Sequence, residues 1–86
     1  MRVPIIAYES RHAEYAAREI LELGPSQYTV VRDDLGSQLR GLQRGTDVVL
    51  VVAKRYTPSA RQREERDGIM QVCLAREFQI KRVFLP

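Results

Sequence analysis

Val48-Val49-Leu50-Val51-Val52-Ala53 is entered from Thr46-Asp47 and left through Lys54-Arg55-Tyr56-Thr57-Pro58. The run is short, rich in β-branched residues and free of polar alternation. That pattern predicts a strand buried on both faces, because a strand with one wet face would alternate apolar and polar side chains. A strand covered twice needs a layer above and a layer below, so the expected architecture is an α/β sandwich.

The rest of the chain reads outward from this strand. Residues 3–7 form a second apolar, β-branched run, expected as the first strand. Ser10 has the chemistry of a helix N-cap, and Ala13, Ala16, Ala17, Ile20 and Leu21 follow at helical spacing. Arg11, Glu14, Arg18, Glu19 and Glu22 fill the opposite face, which predicts an amphipathic helix. Gly24-Pro25 is its expected end. Residues 28–31 are a short edge strand closed by Asp33-Asp34. Leu35, Leu39 and Leu42 predict a weaker helix, burdened by Gly36 and Gly41, with Gly45 as its cap. Thr57-Pro58 reads as an N-cap and first helical residue, opening a long helix to about residue 78. Residues 83–85 are a last short strand. Strands separated by helices favour a parallel sheet with right-handed crossovers. The expected fold is a small flavodoxin-like, Rossmannoid three-layer sandwich. Its four-stranded parallel sheet has the order 2-1-3-4.

Size and composition bound the function. A chain of 86 residues is one domain at most. Apolar residues make up 44% and charged residues 29%, ordinary proportions for a globular protein. The net charge of +3 permits an acidic partner without demanding one. No apolar stretch approaches a membrane span, and the first residues lack the pattern of a secretory signal. The one cysteine, Cys73, excludes an internal disulfide framework, so a reducing, cytoplasmic setting is expected.

In a doubly wound sheet, ligands lie outside the carboxyl ends of the strands where chain order reverses. Here that places Tyr8, Glu9, Ser10 and Arg11 opposite Lys54, Arg55, Tyr56 and Ser59, with Asp33 and Asp34 on the same edge. These ten residues are the candidate ligand-binding set. Ser10 and Arg11 suit an anion at a helix start; Glu9, Asp33 and Asp34 are acidic groups of the kind that hold divalent ions, although a turn and helix cap is the more ordinary role for the aspartate pair. No Gly-rich phosphate loop occurs, the histidine and cysteine count is too low for a zinc site, and no cofactor or metal is expected. Response-regulator receivers carry a similar acidic cluster, but their phosphoacceptor position holds Ala53 or Lys54 here. The long helix is divided by Gly68: its second half carries Ile69, Met70, Val72, Cys73, Leu74 and Phe78. Its first half, with Arg61, Arg63, Glu64, Glu65 and Arg66, is polar all round and so is either solvated or partner-facing. Cys73 has the setting of an inert buried thiol.

Several of these segments together resemble a reduced Toll/interleukin-receptor (TIR) domain. They are Tyr8-Glu9-Ser10, Asp33-Asp34-Leu35-Gly36, Asp47-Val48-Val49-Leu50-Val51-Val52, Tyr56-Thr57-Pro58-Ser59 and Glu64-Glu65. Such domains have a tyrosine-ended first strand, an acidic-glycine loop and a valine-rich strand, then a helix bearing a glutamate. The resemblance spans most of the chain. It implies that Glu64 or Glu65 corresponds to the glutamate that supports cleavage of NAD at the nicotinamide bond in enzymatic members. Nucleoside deoxyribosyltransferase-like proteins also carry a glutamate on this helix. The chain is shorter than a usual TIR domain, and Ala60-Arg61 stands where many members have a tryptophan–cysteine pair.

Three functions follow as expectations. The first is a binding module, of regulator or inhibitor type, acting by protein–protein contact through exposed edge strands and the polar helix half, where Arg61, Arg63 and Arg66 face a partner. The second is a nucleotide-binding enzyme that cleaves an N-glycosidic bond with Glu64 or Glu65. The third, ranked last, is nucleic-acid binding through Lys54, Arg55, Arg61, Arg63 and Arg66, a field weakened by Glu64, Glu65 and Asp67. A homodimer paired through the last strand is also expected.

Overall fold

The valine-rich run does form a central strand. In the computed structural model, which describes residues 2–32 and 39–86, it is β3, Asp47–Val52. The remaining elements are β1 (Val3–Ile6), α1 (Ser10–Tyr15, continued as a π-helical turn over Ala16–Ile20), β2 (Tyr28–Val30), α2 (Ala60–Ala75) and β4 (Gln79–Phe84). Every strand pairing is parallel and the order is β2-β1-β3-β4. This is the flavodoxin-like, Rossmannoid α/β arrangement that the sequence predicts.

Val48, Val49, Leu50 and Val51 are each no more than 5% exposed. Strand alternation divides them between the two faces. Val48 and Leu50 join Ile6, Leu39, Ile69, Cys73 and Phe78 under α2. Val49 and Val51 join Ile5 and the alanines Ala13, Ala16 and Ala17 under α1. Burying each such aliphatic side chain contributes roughly 1.5–3 kcal/mol, so both layers are needed to hold one strand.

Element ends depart from expectation for identifiable reasons. Glu9, not Ser10, is the N-cap of α1; its backbone is extended (φ −126°, ψ 140°), and Ser10 is already helical. Ile20, expected on the core face, is 41% exposed. The Leu21 amide bonds the Ala16 carbonyl at 2.9 Å, five residues back, and such a widened turn shifts the phase of every later side chain. The helix stops before Gly24-Pro25, and the left-handed residue is Glu22 (φ 54°).

Of the weaker helix expected over residues 35–42, the part before residue 39 lies outside the described residues. Residues 39–41 form a turn, not a helix. Even so, Leu39 is fully buried and Leu42 packs on the same cluster, so residues 39–42 cover part of the sheet from a turn.

α2 starts at a Ser59 cap, two residues later than Thr57. It ends at Ala75, because Glu77 turns left-handed (φ 58°). There the Phe78 amide bonds the Cys73 carbonyl (3.0 Å) and the Glu77 amide bonds the Leu74 carbonyl (3.1 Å). These two bonds are a Schellman stop, made here with glutamate in glycine's usual place. Phe78 then folds back into the core, and β4 begins at Gln79, four residues ahead of the expected strand. Among the described residues, no helix is long and apolar enough to cross a membrane.

Candidate functional site

The carboxyl ends of β1 and β3 lie side by side because those strands are neighbours. The loops that leave them, carrying Tyr8-Glu9 and Tyr56, therefore meet. They meet in direct contact. The Tyr8 and Tyr56 rings stack with centroids 6.2 Å apart and planes 28° apart, and His12 sets its ring edge-on to Tyr56 at 5.0 Å. The Arg66 guanidinium covers the other aromatic partner, 4.2 Å from the Tyr8 centroid.

Gln62 ties this layer together. Its Oε1 accepts the Ser59 backbone amide at 2.8 Å, while the Gln62 backbone N–H donates to Ser59 Oγ at 3.1 Å, closing a capping box that starts α2. Its Nε2 lies 3.3 Å from the Tyr8 carbonyl, 3.3 Å from Glu9 Oε2 and 3.0 Å from the Tyr56 hydroxyl. One side chain thus starts a helix and bridges both loops. The signal for it is Ser59-x-x-Gln62, a capping-box spacing that also fixes the true helix start; the Thr57-Pro58 reading passes over it.

Beside this plug a cleft of about 180 Å³ remains at the ends of β1 and β2. It is lined in part by Tyr8, Ser10, Arg32, Gln62, Glu65 and Arg66. Glu65 is half-buried on its wall and pairs with Arg61 Nε at 3.0 Å, whereas Glu64 and Arg63 are exposed and outside the lining. On the α1 side, Lys54, Arg55, His12 and Tyr56 rim a separate shallow hollow of about 260 Å³. The expected ligand set is therefore split. Tyr8, Glu9, Tyr56 and Ser59 converge on Gln62, Ser10 faces the cleft, and Lys54 and Arg55 lie beyond Tyr56. Arg11 is exposed, 4.0 Å from Glu9. Asp33 and Asp34 lie outside the described residues.

Partial burial, and then the Arg11 charge, hold the His12 pKa below its ordinary value; Glu9 pulls it back up. Burial likewise pushes the Cys73 thiol up, which keeps it protonated and unreactive. Among the described residues, no three His, Cys, Asp or Glu side chains are grouped closely enough to hold a metal ion. Comparison of the chain with protein-family models, curated proteins and solved structures gives no match.

Proposed function

We propose that this chain is a binding module that works by contact with another protein. One observation carries the reading: the position where a parallel sheet holds its ligand is filled by the protein's own side chains. Gln62, Tyr8 and Tyr56 satisfy one another across the junction of β1 and β3, so these groups are engaged in internal contacts rather than held open for a substrate. The cleft beside them, about 180 Å³, falls short of the roughly 300 Å³ at which pockets for drug-sized ligands begin; a larger, shallow hollow of about 400 Å³ lies away from it, between Arg11, His12, Tyr15 and the Leu85-Pro86 end. What the molecule does offer to a partner is surface: a sheet edge at β4 and the polar first half of α2. Affinity capture from a native lysate, with the bound proteins identified by mass spectrometry, tests this. The expected result is a defined partner whose capture survives Glu65→Gln.

A second reading rests on the position of Glu65. It stands on the cleft wall while Glu64 is exposed, so of the two glutamates that the TIR-like resemblance offers, Glu65 is the one placed to meet NAD or a nucleoside in that cleft. Incubation with NAD or with deoxynucleosides, followed by chromatography for the released base, decides between the two. Turnover that disappears in Glu65→Gln overturns the binding-module reading.

A further inference from the structure

The sheet has two edges of unequal character. β2 is three residues long and offers little backbone. β4 is six residues long and forms the opposite edge. The Gln79 and Leu85 amides both donate toward β3, to the Thr46 and Val52 carbonyls at 2.9 Å. Alternate residues of a strand turn their amides to opposite sides, so Ile80, Arg82 and Phe84 present theirs to the open edge.

The side chains along this edge have a definite pattern. Ile80 packs on the α2-side cluster and Val83 on the α1-side cluster. Arg82 and Phe84 therefore share a face with Ile80, and Lys81 shares one with Val83. Phe84 is 55% exposed, with Lys54 Nζ 5.4 Å from its ring centroid. Lys81 reaches Asp47 on β3 at 3.2 Å, while Arg82 and Arg76 are exposed. The edge thus combines outward backbone groups, an exposed aromatic anchor and a surplus of positive charge.

We propose that the open edge of β4 docks an extended acidic segment of a partner protein, which adds to the sheet as a fifth strand. The proposal rests on the binding-module reading and names its surface and the chemistry of its partner. Charge chooses this occupant over a second copy of the chain. In the antiparallel register that uses all the outward residues, Arg82 of each copy lies opposite Arg82 of the other, and like charges directly opposite destabilise a strand pair. A segment reading apolar-acidic-acidic-apolar-apolar, added parallel to β4 as the sheet's other strands are to one another, instead matches Ile80, Lys81, Arg82, Val83 and Phe84 position by position.

The test is an NMR titration of the full, ¹⁵N-labelled chain with a blocked peptide containing Val-Glu-Glu-Val-Val, and with its Lys-for-Glu counterpart. The expected result is a set of amide shifts confined to residues 80–84, salt-sensitive, with the lysine peptide about tenfold weaker or more, the effect of two cross-strand charge pairs turned repulsive. Arg82→Glu should reverse that preference. Arg82→Pro, which removes an outward donor and leaves the β3 ladder untouched, should abolish binding with an unchanged circular dichroism spectrum. Equal binding of the two peptides, or no shifts at residues 80–84, overturns the proposal and makes the cations guards against pairing. A sedimentation mass of two chains with the β4 amides already protected overturns it in favour of a second copy. Shifts confined to residues 60–67 overturn it while leaving the binding-module reading standing, whereas turnover of NAD removes that reading without touching the β4 measurement.

Discussion

Gln62→Ala is the perturbation that probes the plug most directly. The side chain accepts the Ser59 amide at 2.8 Å and engages the Tyr56 hydroxyl from both ends, donating to it from Nε2 at 3.0 Å and accepting from it at Oε1 at 3.1 Å. Its two remaining contacts, to Tyr8 and Glu9, are longer at 3.3 Å and share the same two amide protons. Counting about two effective bonds at roughly 1 kcal/mol each gives about 2 kcal/mol. Alanine returns only a few tenths of a kcal/mol through its higher helix propensity. For a chain of this size about 2 kcal/mol lowers Tm by roughly 8–16 °C. Urea denaturation followed by circular dichroism measures the loss, and Gln62→Glu separates its parts. Glutamate keeps the acceptor for Ser59 and so the helix start, but it sets a second carboxylate against Glu9 and offers no donor to Tyr8. It should therefore cost at least as much as alanine at neutral pH, and less below about pH 4, where carboxylates take up protons. A cycle with Tyr56→Phe should show a coupling of about 1 kcal/mol. A cost under about 0.5 kcal/mol for Gln62→Ala, or no coupling to Tyr56, would refute the claim that this residue fastens the two loops.

Further tests follow from burial and charge. Leu50→Ala, at a site only 3% exposed between two layers, should cost about 2–5 kcal/mol in urea melts. Cys73 is fully buried, so a thiol reagent should react with it at the rate of unfolding rather than of collision, and Cys73→Ser should cost about 1–3 kcal/mol for a hydroxyl placed in an apolar cluster. His12 should titrate below 6.5 by NMR, lower still in Glu9→Gln and higher in Arg11→Gln. Because that pKa is depressed on folding, the unfolded chain binds more protons just below pH 6.5, so this group's contribution falls as pH drops through that window and is flat below the folded pKa. Glu22→Gly, at φ 54°, should change stability by between zero and about +1 kcal/mol, since relief of left-handed strain is partly offset by the unfolded-state freedom of glycine.

The class of fold was legible in the sequence because it depends on patterns a chain carries locally. Six consecutive apolar residues from Val48 to Ala53 demand cover on both sides, and intervening helices demand parallel strands; together they lead to the observed order β2-β1-β3-β4. The alanine stripe of α1 and the apolar half of α2 were legible for the same reason. Element ends were less so. The stop after α2 uses Glu77 where glycine is the usual sign, and the π turn at Ala16–Ile20 has no compositional mark. The apolar pattern marks only the last part of β4, because Lys81-Arg82 interrupts it, as charged residues do on an edge strand that meets water.

The candidate site shows the division most clearly. Adjacent strand ends, and hence the approach of Tyr8 to Tyr56, follow from topology that the sequence predicts. Whether the gap between them stays open is set by a residue on a third element: Gln62 reaches Tyr8 across 54 positions of chain. Composition and periodicity specify which faces are apolar, and so which elements stack. They do not specify where α2 starts relative to the sheet end, and that placement is what brings the Gln62 amide against Tyr8 and Tyr56.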